Sequence, residues 1–273
     1  MAQEIGPFFI YFIYFSRMSL LASKSPLYVA TKSLGALYVF ILFGLFLDSF
    51  FMLEITDDAQ FYANISMFVG FAVTFWQVNK RVKEQMIFAV IIAIIGEYLF
   101  SIVMGMYTYR LENVPHYVPP GHALVYVAVL YFSKASAIVK NRAFIEKIFT
   151  IFIIVYATAF LIFGNDVFGF VMTAATLFIL RKKPRERLFY LTMYITVAYL
   201  EIIGTNYLCW KWPATAWGVF DFLPSFNPPS GISFFYFLLD LGTLWFYKQR
   251  HKITWARMKS LRKIRLNKNI SAN

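Results

Sequence analysis

Residues 85–108 read QMIFAVIIAIIGEYLFSIVMGMYT, a run in which Glu97 is the only side chain that carries charge. A helix needs about 20 predominantly apolar residues to cross about 30 Å of hydrocarbon, and this run is long enough. It is therefore read as a membrane span with a carboxyl group near its middle. Glu97 lies about 12 residues into it, or roughly 18 Å at helical rise.

The rest of the chain has the same character. It has 273 residues, of which 60% are hydrophobic and only 15% charged. A soluble domain of this length needs more charge to cover its surface. Hydropathy and length place eight spans at 33–53, 60–78, 85–108, 121–139, 145–163, 165–181, 187–210 and 229–247. Gly164-Asn165-Asp166 predicts a tight turn between antiparallel helices. The fold class is thus an all-α polytopic membrane protein of about eight transmembrane helices. FFIYFIYF, starting at Phe8, lacks a basic leader and a clear cleavage site, so a short helix on or in the membrane surface is expected there.

Charge sets the orientation. With the N-terminus cytoplasmic, 24 of the 26 Lys and Arg residues fall on the inside, and only Arg110 and Lys211 fall outside. This is the positive-inside pattern, and it places both termini in the cytoplasm. It also accounts for the net charge of +12 without nucleic acid. The tail RMKSLRKIRLNK is expected to lie against anionic headgroups. A bacterial inner membrane or a eukaryotic endomembrane satisfies the same rule.

Two proline phrases divide the chain. PHYVPPGH (Pro115 to His122) and PSFNPPSG (Pro224 to Gly231) share the skeleton Pro-x-x-x-Pro-Pro. Upstream, IIGEYL from Ile94 parallels IIGTNYL from Ile202. The expected organisation is an N-terminal cytoplasmic or interfacial segment (1–32), two parallel four-helix repeats (33–139 and 140–247) and a basic tail (248–273). Both phrases then lie at the outer face, with Pro120 and Pro229 in the first turns of the helices that follow. They act either as rigid helix starts or as paired lids over a central cavity.

Ionisable groups at membrane depth need a reason, because each costs about 2.5–3.5 kcal/mol to insert. Glu97 and Glu201 are the leading candidates. Glu97 aligns with Thr205, and Glu201, four residues earlier, shares that helix face. Asp240 is a third acid, aligned with Tyr131, and His122 stands where the second phrase has Gly231. Glu97, His122, Glu201 and Asp240 form the candidate catalytic set, with hydrogen-bonded helix contacts as the alternative use of each acid. His116 and His122 are not at a recognised ligand spacing, and Cys209 is the single cysteine, so no metal or cofactor is expected. Aromatic residues gather at the same mouth. Tyr107, Tyr109, Trp210, Trp212 and Tyr236, with Thr205 and Asn227, are candidate substrate contacts. Aromatic faces suit a lipid chain and stabilise a carbocation, although an interfacial belt explains some of them.

The stretch GMYTYRLENVPHYVPPGH (Gly105 to His122) resembles the Gly-x-Tyr-x-Tyr … Val-Pro-x-x-Val-Pro pattern of the membrane carotenoid-biosynthesis hydratase family, over about 18 residues. WKWPATAW and NPPSG in the second half depart from the pattern, as does the missing aromatic after the second Val-Pro. The resemblance implies acid-promoted water addition to a polyene end. It makes Tyr107, Tyr109, Pro115 and Pro119 cavity-wall or loop residues and assigns no catalytic acid. The expected function is an integral membrane enzyme acting on a lipid or isoprenoid by acid–base chemistry, with membrane lipids and a hydrophobic small molecule as partners. A proton-coupled transporter, a lipid-binding carrier and a non-catalytic scaffold are the alternatives.

Overall fold

A computed structural model describes residues 25–257 together with Ser260. The FFIYFIYF run and most of the basic tail lie outside the described residues. The chain is mostly helical, and a helix overlaps each of the eight expected spans. Four helices are long and apolar enough to cross a membrane: α1 (Pro26–Phe46), α3 (Lys80–Val103), α6 (Arg142–Gly164) and α8 (Arg187–Asn206). The others are α2 (Ala59–Gln77), α4 (Val118–Lys134), the short α5 (Ser136–Lys140), α7 (Val167–Arg181) and α9 (Ser233–Arg250).

Local chemistry sets several boundaries away from the hydropathy estimate. α1 starts early because the Ser25 hydroxyl accepts the Tyr28 N–H at 3.3 Å and Pro26 fills the first helical position. It stops at Phe46, before residue 53, because Ser49 caps a separate 3-10 turn over Phe50–Glu54. Asn79 caps α3 in the same way, through the Val82 N–H at 3.1 Å. The last turn of α3, Tyr98–Val103, is wound as a π-helix directly after Glu97. Gly105 then takes a left-handed φ of 60°, and the helix ends at Val103, five residues before the expected end. Asn165, at φ 52°, makes the expected tight turn between α6 and α7.

The proline phrases differ from each other. Pro119 and Pro120 do enter the first turn of α4. Pro229 does not enter α9, because the phrase stays turned until Ser233. Its Phe226 and Ser230 N–H groups are held by the Asp166 carboxylate at 3.1 and 2.7 Å.

An all-helical reading also misses two small ribbons. β1 (Thr108–Tyr109) pairs antiparallel with β2 (Trp210–Lys211), and β3 (Thr215–Ala216) pairs with β4 (Phe220–Pro224). Two-residue strands carry no periodic signal that a window could detect.

α4 and α8 form the centre. α4 is apolar on nearly all sides, as its sequence VPPGHALVYVAVLYF requires, and packs against α2, α3 and α8. α8 packs against α1, α4, α6 and α9. By contrast only 11% of the apolar window of α6 is buried: Ile153 and Ala157 reach the core, while Phe144, Ile148, Ile151, Phe152, Val155 and Phe163 face outward. Ribbons and proline phrases share one end of the bundle. Glu84, ion-paired with Arg250 at 2.6 Å and hydrogen-bonded with His251 at 2.7 Å, marks the opposite end, where the basic connections gather.

Candidate functional site

Glu97 and Glu201 sit at the ribbon end, each buried in a clasp of aromatic donors. One oxygen of Glu97 accepts from the Tyr107 and Tyr109 hydroxyls at 2.5 and 2.6 Å, and the other bonds His122 Nε2 at 2.7 Å. One oxygen of Glu201 accepts from the indole N–H groups of Trp210 and Trp212 at 2.8 and 3.0 Å. Its other oxygen accepts from Tyr236 at 3.2 Å. The two arrangements share a layout: two donors in or beside a ribbon strand on one oxygen, and one group from the following helix on the other.

The ribbon makes this possible. Side chains alternate along a strand, so residues two apart share a face. Tyr107 and Tyr109, like Trp210 and Trp212, therefore turn inward, while Thr108 and Lys211 are exposed. Cross-strand pairing of Tyr109 with Trp210 brings the two sets together, with Tyr107 and Trp212 ring centroids 4.6 Å apart. The imidazole of His122 stacks on Tyr236 at 4.8 Å, so the two clasps touch through their third donors as well. Gly204 makes room for the Trp210 ring, which lies where a Cβ would have been.

Both clasps border a narrow cavity of ≈ 80 Å³. Its remaining wall is apolar, built from Leu37, Phe40 and Ile41 of α1, Met67 of α2 and Phe235 of α9. The cavity can admit a slender apolar chain end, next to two carboxyl groups and an imidazole that can hand a proton on through hydrogen bonds.

Eight expected residues thus come together: Glu97, Tyr107, Tyr109, His122, Glu201, Trp210, Trp212 and Tyr236. Three do not. Thr205 bonds back to the Glu201 and Ile202 carbonyls of its own helix, and the side chain clasped in the manner of Glu97 is Glu201. Asn227 accepts the Trp212 backbone N–H at 2.9 Å and braces the ribbon from outside the cavity. Asp240 lies one helical turn beyond Tyr236, toward the basic end, and lines a separate cavity. The ring facing His122 is Tyr236; Gly231, its expected counterpart, packs against α7, where a Cβ would meet the Gly169 carbonyl at 2.1 Å.

Two anchoring acids escaped the sequence reading. Asp48, just after α1, accepts from Arg110 at 2.5 Å and from Tyr117 at 2.8 Å, fixing the first proline phrase. Burial holds its carboxyl above the ordinary value, against the lowering effect of Arg110 and Tyr117. Asp166, before α7, performs the same task for the second phrase through the backbone N–H groups of Phe226 and Ser230. Arg110 carried a signal for the first: in the expected topology it is one of two Lys and Arg residues on the outer side, where an acidic partner can hold it. Neither a protein-family model, nor a curated protein, nor a solved structure matches this chain.

Proposed function

We propose that this is an integral membrane enzyme that carries out acid–base chemistry on a lipid or isoprenoid chain end. The carrying observation is that two buried carboxyl groups, on different helices, border one narrow apolar cavity. In this reading Glu97 takes the proton that lies between it and His122 and gives it to a carbon of a double bond, leaving a carbocation on the neighbouring carbon. The faces of Tyr236 and Trp212 stabilise that cation. Loss of a proton to Glu201, or addition of water with its proton taken by His122, completes the reaction and leaves charge and atoms balanced. The resemblance around Gly105 to His122 is in keeping with water addition to a polyene end.

The matching clasps, and the matching anchors Asp48 and Asp166, favour a duplicated four-helix unit with eight transmembrane helices. The basic end would face the cytoplasm and the ribbon end the outer side. A second reading, a scaffold whose acids only tie helices together, draws support from the three hydrogen-bond partners that each carboxyl group already has.

Mass spectrometry of lipids that co-purify with wild type and Glu97→Gln separates the two. An enzyme retains a specific hydrophobic ligand in the variant, in unprocessed form, because glutamine keeps the fold but cannot supply the proton. If both proteins carry the same unspecific lipids, the enzyme reading fails.

A further inference from the structure

The cavity at the basic end is the larger of the two, at ≈ 450 Å³, and its chemistry differs from that of the clasped acids. Four cationic side chains line it, Arg81, Lys134, Arg142 and Arg185, together with two acids, Glu186 and Asp240. Arg142 is partly committed, since its Nε bonds Glu146 at 2.6 Å and its Nη2 bonds the Pro184 carbonyl. Arg81 lies over the Tyr247 ring at 5.3 Å. Among the described residues, Lys134 and Arg185 enter no ion pair, which leaves an ammonium and a guanidinium without a carboxylate partner.

The other part of the lining has the opposite need. Gln85 is 2% exposed and its carbonyl oxygen has no hydrogen-bond partner; Asp240 Oδ2 is buried and equally unpartnered. A buried acceptor without a donor is costly, so these two oxygens mark a place for a donor that a ligand brings. An anion against Asp240 is disfavoured, whereas one beside Lys134 and Arg185 gains charge-assisted hydrogen bonds.

We propose that this cavity binds a phosphate ester, its phosphate held by Lys134, Arg185 and Arg81 and its hydroxyl or amine end directed toward Asp240 and Gln85. The same chemistry is found in the headgroup of a glycerophospholipid and in a free phosphate ester of a small polyol. The site is independent of the acid–base reading of the other cavity and stands or falls without it.

The test uses the full chain, purified and stripped of lipid. Isothermal titration with glycerol 3-phosphate, inorganic phosphate and glycerol probes the soluble source. Native mass spectrometry from phosphatidylcholine nanodiscs doped with phosphatidylglycerol probes the lipid source. The expected result is specific binding of glycerol 3-phosphate, of phosphatidylglycerol, or of both; which of them binds identifies the source. Lys134→Gln and Arg185→Gln each weaken binding by about tenfold, as expected on losing one charge-assisted contact. Asp240→Asn weakens glycerol 3-phosphate or phosphatidylglycerol and leaves inorganic phosphate unchanged. Both Lys134 and Arg185 have exposed side chains, so their variants should unfold at the wild-type temperature. Absence of binding in both formats overturns the proposal, as does binding that is indifferent to the double change Lys134→Gln with Arg185→Gln.

Discussion

Replacing Gly204 by alanine tests whether the ribbon is held to α8 by the Trp210 clasp. An ideal Cβ at Gly204 would lie 2.0 Å from Cζ2 of Trp210 and 2.1 Å from Cη2. Carbon atoms rest about 3.5–4.0 Å apart, so the indole must retreat by about 1.5 Å or more. The β2 backbone is pinned by its pairing with Tyr109, so the ring can only swing, and its 2.8 Å bond to Glu201 stretches past about 3.5 Å. Losing a hydrogen bond to a carboxylate costs about 1.5–3 kcal/mol, and the overpacking about 1–3 kcal/mol. Alanine returns about 1 kcal/mol of helix propensity. The net loss is about 2–5 kcal/mol. Gly44→Ala is the matched control, since it lies in a helix with nothing within 4 Å of the added carbon. Denaturant unfolding in detergent micelles, read by tryptophan emission, should show Gly204→Ala destabilised and Gly44→Ala unchanged or slightly stabilised. If Gly204→Ala matches the control in midpoint and emission maximum, the packing argument is wrong.

The anchors give the remaining predictions. Arg110→Ala leaves the Asp48 carboxylate buried without its cation and should cost about 3–5 kcal/mol in the same assay; a loss under about 1 kcal/mol would contradict a buried pair. The Asp48 carboxyl holds its proton more tightly folded than unfolded, so its contribution is fully present below about pH 3.9 and is lost as pH rises through the raised value. Relative to Asp48→Asn, wild type should therefore lose stability over that window, and parallel pH profiles would refute the assignment. Asp166→Ala removes the acceptor of the Gly169, Phe226 and Ser230 N–H groups. Hydrogen exchange at Phe226 and Ser230 should accelerate by at least tenfold while that of α4 stays unchanged; equal protection in the variant would remove Asp166 as the anchor.

Helix positions were legible because apolar length reports burial in lipid or core without reference to what the helix touches. Boundaries were less so: the caps at Ser25 and Ser49 decide α1, and hydropathy ignores them. Glu97, Glu201 and His122 stood out as costly residues in apolar runs. Their pairing with particular donors was hidden, because it depends on a ribbon that joins residues about a hundred positions apart in sequence. Aligning IIGEYL with IIGTNYL put Glu97 opposite Thr205, whereas the fold matches acid with acid. The alignment followed the helix backbone, and the equivalence is set by where the side-chain oxygens meet the ribbon. Asp240 was grouped with the other acids by depth alone; one turn of α9 sends it to the other cavity.

Each of the two clasped carboxyl groups finds its three hydrogen-bond partners within its own half of the chain. Glu97 uses Tyr107, Tyr109 and His122, and Glu201 uses Trp210, Trp212 and Tyr236. The two clasps meet through ring faces and one short ladder, while the halves themselves are joined by the packing of α8 on α1 and α4 and by Glu84 with Arg250. During synthesis, therefore, every partner of Glu97 has been made long before residue 201 leaves the ribosome, and the ribbon that turns Tyr107 and Tyr109 inward is completed by the second half. A chain severed between α5 and α6 should on the same grounds yield two fragments that insert separately and reassemble when co-expressed.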